Sequence, residues 1–298
     1  MQFKTEIQAL PLISMGDIER VELLPLTKEQ EAVINPQVPP TSGIRMEICE
    51  KKGDIYQITI PRQMMFLRVF KAVAEVAKQE LRKLHPRVLL VSDDRPSSDT
   101  LVGYCAKVFV HEGCQIYFQK AVDPRSTEAS KHVPFYSRMG TPYASTAMTL
   151  FKEIDFVVVI TASHNELVWN GVKIYIERPL PISGHVMQSI CQKALQYTQI
   201  EMAKAVSPTY IDADSKNNEY ILRLVQKIVD ISVLKGKKII FWPYFGHAPE
   251  LQDLFRKVGV DLVLVDENIE PPNPTAFVDV PRIQNLMNTT NSNLADLS

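Results

Sequence analysis

The run Phe156-Val157-Val158-Val159-Ile160 constrains the fold more than any other stretch of the chain. Five consecutive β-branched or aromatic residues without a polar interruption read as a strand covered on both faces, which requires packing layers on both sides of its sheet. The run stops at Thr161-Ala162-Ser163-His164-Asn165, followed by Asn170-Gly171-Val172-Lys173. A hydroxyl, an imidazole, a carboxamide and an ammonium group are thereby gathered beyond the carboxyl end of a central strand, where open α/β sheets place their ligands. A polar turn joining two strands is the competing reading.

The flanking sequence supplies further βα units. From Gln63 to Leu84 the apolar residues Phe66, Val69, Phe70, Val73, Val76, Ala77 and Leu81 recur at helical spacing. Val88 to Ser92 reads as a second buried strand, broken by Asp93-Asp94-Arg95-Pro96-Ser97-Ser98, with a helix continuing to His111. Arg95 then lies beside a helix N-terminus, a natural anion site; pairing with Asp93 or Asp94 is the alternative. Gly113 ends that helix, a strand follows at 114–118, 121–138 reads as loop, and Pro142 opens a helix leading to the Phe156 strand. Strand Val172–Ile176 and helix Val186–Tyr197 close a doubly wound domain. Thr41-Ser42-Gly43-Ile44-Arg45 precedes these units and can offer hydroxyls, backbone N–H groups and a guanidinium to an oxyanion; a surface turn with a solvated Arg is the alternative.

After Ser207-Pro208 a shorter α/β pattern begins: a helix at 217–231, strand Lys238–Trp242, a loop from Pro243 to Gly246 and His247, a helix at 248–258 and strand 261–265. A Pro-rich stretch from Glu270 to Phe277 comes next. The expected organisation is an N-terminal extension packing on the body over 1–40 (a mobile leader is the alternative), with a helix at Lys28–Ile34 after the cap candidate Thr27, a first domain over 41–203 and a second over 204–298. The second sheet is expected to be open at its edge.

A net charge of −1 gives no general nucleic-acid surface and no polybasic membrane patch. Four cysteines without CxxC pairing read as reduced thiols, no apolar run approaches the ~18 residues of a membrane span, and the first residues lack a signal-peptide pattern. The expectation is a cytoplasmic protein.

The loops together resemble the α-D-phosphohexomutase family (phosphoglucomutases and phosphomannomutases). Thr161-Ala-Ser-His-Asn165 with Asn170-Gly-Val-Lys173 is similar to its phosphoserine loop, Thr41-Ser-Gly-Ile-Arg45 to its N-terminal Thr-Ser-Gly-x-Arg-Gly turn, Asp94-Arg-Pro-Ser-Ser98 to its first βα loop, and Gly140-Thr-Pro142 to the turn before the serine strand. The four stand in the family's order, and the resemblance covers about residues 41 to 298. Met46 replaces the glycine expected after Arg45, and Glu166 stands where the family often has proline.

The resemblance implies two α/β/α domains with mixed, largely parallel sheets, the second incomplete, and an intramolecular phosphotransferase of the isomerase class acting on phosphosugars. Ser163 would carry the phosphoryl group and, through it, touch Mg²⁺. His164 would position the phosphate or a sugar hydroxyl, or act only as a loop histidine bonded to backbone. Arg45 would stabilise charge, since arginine stays protonated, and Lys173 would act as a base if burial lowers its pKa. Thr41, Ser42, Arg95, Asn165 and Asn170 would hold substrate or phosphate, Asn165, Asn170 and Gly171 would also shape the loop, and a sugar bisphosphate would serve as activator. By the same resemblance Ala295-Asp296-Leu297-Ser298 corresponds to the strand leading to the family's Asp-x-Asp-x-Asp-Arg metal loop. The metal carboxylates and the sugar- and phosphate-gripping third and fourth domains would then come from a separate polypeptide, and this chain alone would be inactive or incomplete. A non-catalytic module binding a phosphosugar or a partner protein is the other expectation.

Overall fold

The structure, a computed structural model, describes residues 3–38, 40, 43–122, 124–241, 249–265 and 280–290. The expected site residues Thr41 and Ser42, the loop from Pro243 to Gly246, the Pro-rich stretch from Glu270 to Phe277 and the segment Ala295–Ser298 lie outside the described residues.

Three short strands open the chain, β1 (Lys4–Ile7), β2 (Ile13–Met15) and β3 (Ile18–Glu22). Helix α1 (Lys28–Ile34) follows behind a capping box, in which the Gln30 N–H donates to Thr27 Oγ1 at 3.3 Å and the Thr27 N–H to Gln30 Oε1 at 3.0 Å. Next come β4 (Ile44–Glu47), β5 (Cys49–Lys52), β6 (Ile55–Ile58), the long α2 (Ile60–Leu81), β7 (Arg87–Ser92), α3 (Ser98–His111), β8 (Gln115–Gln119) and a short α4 (Pro124–Ser130). The last is a turn of helix inside the stretch expected to be loop. Then follow α5 (Thr141–Leu150), β9 (Phe156–Ile160), β10 (Trp169–Ile176), α6 (Gly184–Gln196), β11 (Gln199–Ala203), β12 (Thr209–Ile211), α7 (Ala213–Val225), β13 (Lys238–Phe241), α8 (Pro249–Lys257), β14 (Asp261–Leu264) and α9 (Val280–Thr290).

The central sheet has six strands in the order β12-β8-β7-β9-β10-β4. From β12 to β9 all neighbours are parallel; β10 runs antiparallel between β9 and β4. Every residue of β9 is buried, as its unbroken apolar run requires. Val158 and Ile160 join Val88 and Leu90 on one face, in the core with residues of α2, α3 and α6. Val157 and Val159 join Leu89 and Val91 on the other, against Tyr143, Ala144 and Ala147 of α5 and Ala213 of α7. The sheet is thus sandwiched between helical layers.

The chain outside 41–203 takes part in this body. β1 pairs with β6 and β3 with β11, and Arg68 of α2 donates to the carbonyl oxygens of Leu24, at 2.8 Å, and Tyr197. The central sheet also continues past residue 203, because β12 covers the edge of β8. Helix α7 starts at 213, four residues earlier than expected, where Asp212 accepts from the Ser215 N–H at 3.0 Å. It packs on α5: the Tyr143 hydroxyl donates to Asn218, and the Asn217 amide donates to the Tyr143 carbonyl. Beyond it, β13 and β14 form a two-stranded parallel sheet, and Ile240 and Val265 share a small core with Ile283 of α9. No helix among the described residues is long and apolar enough to cross a membrane.

Candidate functional site

The expected loops meet at the carboxyl edge of the central sheet. β7 and β9 end level, Ser92 opposite Ile160, and the chain leaves β9 through Thr161. The Thr161 N–H donates to the Gly171 carbonyl at 3.0 Å, and across the next pairing Gly171 lies opposite Arg45. Gly171 permits this approach. A Cβ there would stand 2.5 Å from the Ile44 carbonyl oxygen and 2.9 Å from both the Arg45 Cγ and the Thr161 carbonyl oxygen. Alternation along β10 puts Lys173 on the same face as Gly171, and therefore on the face of Arg45.

The loop itself is tied from beneath. Ser163 adopts a left-handed backbone conformation, φ +59°, unusual for a residue with a side chain. Its N–H donates to Thr161 Oγ1 at 2.9 Å, and that hydroxyl donates to Asp93 Oδ2 at 2.6 Å. Arg95 grips the other side of the same turn. Its Nε donates to Asp93 Oδ2 at 3.0 Å, Nη1 to the carbonyls of Glu166 at 2.6 Å and Trp169 at 3.1 Å, and Nη2 to the Ser163 carbonyl at 2.6 Å. Asp93 Oδ1 also accepts from the Ser98 hydroxyl at 3.0 Å, at the start of α3. The side chains of Ser163 and His164 remain exposed.

Two of the expected substrate-binding residues therefore hold protein instead. Arg95 is only 4% exposed, and its donors serve Asp93 and three loop carbonyls; the pairing with Asp93 is the reading that stands. Asn170 is fully buried. Its Nδ2 donates to Ser97 Oγ at 2.9 Å and its Oδ1 accepts from the Gly171 N–H at 2.8 Å, so it shapes the loop and does not reach a ligand. Asn165 is half-buried on the rim, where Arg45 Nη1 donates to its Oδ1 at 3.4 Å. The tie between Asp93 and the Thr161 hydroxyl was not read from the sequence, where Asp93 entered only as a partner for Arg95. The available signal was their position, each the first residue after a buried strand.

The electrostatics favour an anion. Burial lowers the Arg45 pKa, and the nearby charge of Arg95 lowers it further. Burial also lowers the Lys173 pKa, with Arg45 adding to the shift and Asp93 only partly opposing it. Both side chains are half-buried, and neither forms an ion pair with a described carboxylate. An anion arriving beside them would relieve both strains. Among the described residues, no three His, Cys, Asp or Glu side chains converge to hold a metal ion, so these residues do not by themselves fit the Mg²⁺ expected from the resemblance. A cleft of about 330 Å³ beside Lys120, His132, Tyr136 and Tyr210 contains no residue of the Ser163 loop.

The family profile for phosphoglucomutase/phosphomannomutase, alpha/beta/alpha domain I, matches residues 36–201, more than half of the chain. The chain belongs to the phosphoglucomutase/phosphomannomutase family. Solved structures agree in fold. The exocytosis-sensitive phosphoprotein parafusin, a phosphoglucomutase from Paramecium, superposes in its open form with a TM-score of 0.60 at 14% identity, covering 88% of this chain and 46% of that one. A phosphoglucomutase/phosphomannomutase family protein from Burkholderia thailandensis gives 0.52 at 18% identity, covering 89% and 52%. The chain thus spans about half the length of these phosphohexomutase-family structures. No curated protein sequence matches it.

Proposed function

We propose that this chain carries the phosphoserine loop of a phosphohexomutase, and that Ser163 exchanges a phosphoryl group with a sugar phosphate. The observation that supports it best is an exposed serine on a tied, left-handed turn, on the same rim as two half-buried cations that have no carboxylate partner among the described residues. In the forward step a sugar hydroxyl oxygen bonds phosphorus while the phosphorus–Oγ bond of Ser163 breaks. Lys173 relays a proton: its ammonium protonates the leaving Ser163 Oγ, and the amine so formed takes the hydroxyl proton as the base, so atoms and charge balance. Arg45 stays protonated and stabilises the charge on the transferring group. Losing such a donor typically costs about 100- to 1,000-fold in rate. His164 and Asn165 orient the phosphate or the sugar. The divalent cation and the groups that read the sugar come from residues other than those described.

The test is mass spectrometry of the chain after incubation with a sugar bisphosphate and Mg²⁺. One phosphate, mapped to Ser163 and absent from Ser163→Ala, is expected. No phosphate on Ser163 would overturn the proposal. That outcome would favour a non-catalytic phosphosugar-binding module, a reading to which one observation lends weight: the Glu166 carboxylate is exposed on the loop, three residues from Ser163, where it would repel a phosphoserine dianion.

A further inference from the structure

We propose that Asp93 and Arg95 form a brace that holds Ser163 in its left-handed backbone state, making Arg95 a positioning residue for the phosphoryl group. The proposal rests on Ser163 as the phosphoryl carrier, but the brace can be measured whether or not that reading holds.

A serine at φ +59° is disfavoured by contact between its Cβ and the following backbone, and reverts unless its surroundings fix it. Both flanks of Ser163 are fixed here. Its N–H is held by the Thr161 hydroxyl, which Asp93 anchors, and its carbonyl is held by Arg95 Nη2, while Arg95 Nε returns to the same Asp93. One carboxylate thus ties together both ends of one residue. Arg95 also fixes the carbonyls of Glu166 and Trp169, where the loop re-enters the sheet. A planar guanidinium can serve these directions at once; the three N–H bonds of a lysine on one rotating nitrogen cannot reproduce the fork. The brace lies below the loop, so it acts on the backbone and leaves Oγ free.

The test is a double-mutant cycle on the full chain. Ser163→Gly removes the Cβ and with it the backbone penalty, so it should raise the melting temperature by about 2–4 °C. In an Arg95→Lys background the loop has relaxed, so the same substitution should gain less than half as much. Equal shifts in both backgrounds, zero included, would overturn the brace. The second readout is phosphoryl uptake at Ser163 from a sugar bisphosphate with Mg²⁺. Arg95→Lys should slow uptake at least tenfold and leave the half-saturating bisphosphate concentration within twofold. An unchanged rate would overturn the positioning role. If the unsubstituted chain takes up no phosphate, the phosphoserine reading and the positioning role fall together, and the cycle still decides the brace.

Discussion

Lys173 carries a cost that a ligand would remove. Burial and the Arg45 charge make its protonated form less favourable in the folded chain than in the unfolded one. The sign follows from linkage. Below the folded pKa both states bind the proton and the whole penalty is present. Between the folded pKa and the ordinary lysine value of 10.5 the unfolded state binds more protons, so stability rises with pH and the penalty fades. Lys173→Met should therefore raise the melting temperature at pH 7, and the gain should shrink as pH approaches 10.5, measured by thermal melts across that range. In phosphate buffer the gain should fall or reverse if the ammonium holds an anion. Arg45 follows the same logic without titrating, because arginine stays protonated throughout.

At the scale of elements, the site is a junction of four neighbouring strands: the ends of β7 and β9, the start of β10, and β4. Gly171 is the tightest point of that junction. Gly171→Ala would push a methyl group against the Ile44 carbonyl, which is backbone and cannot turn aside, and against the Arg45 stem. A loss of about 1–3 kcal/mol is expected from overpacking, read by urea unfolding, together with weaker phosphate binding as Arg45 is displaced. Much of the junction was legible in the sequence. β9 announced itself because both its faces are covered, and the Thr161–Asn165 motif stood at its end. The role of Arg95 was not legible, since its acceptors are carbonyls from a loop about 70 residues away whose path only the assembled sheet defines. Asn170 read both as a loop-shaping residue and as a ligand group, because a polar side chain beside a motif carries no mark of burial. β12 was missed for a related reason: it is three residues long, and its place beside β8 depends on pairing alone.

Across the whole molecule the charges nearly cancel, at −1 net, yet Arg45, Arg95 and Lys173 meet at one edge of one sheet, where Asp93 pairs with Arg95 and only partly offsets the shift at Lys173. The fold spends sequence-distant residues, from 45 to 173, to gather that positive potential around an exposed serine. The N-terminal strands and α7 buttress the same body and bring no ligand group to the loop. The second unit, with its two-stranded sheet, belongs to a chain that spans about half the length of its structural relatives. The proposed role of these cations is to meet a dianion on Ser163. The most direct measurement is a ³¹P NMR titration of the chain after incubation with a sugar bisphosphate and Mg²⁺. A single phosphoserine resonance is expected, with a second pKa that lies below the free value of about 6 and moves back towards it in Lys173→Met. No protein-bound resonance, or one that titrates at the free value and ignores Lys173→Met, would contradict it.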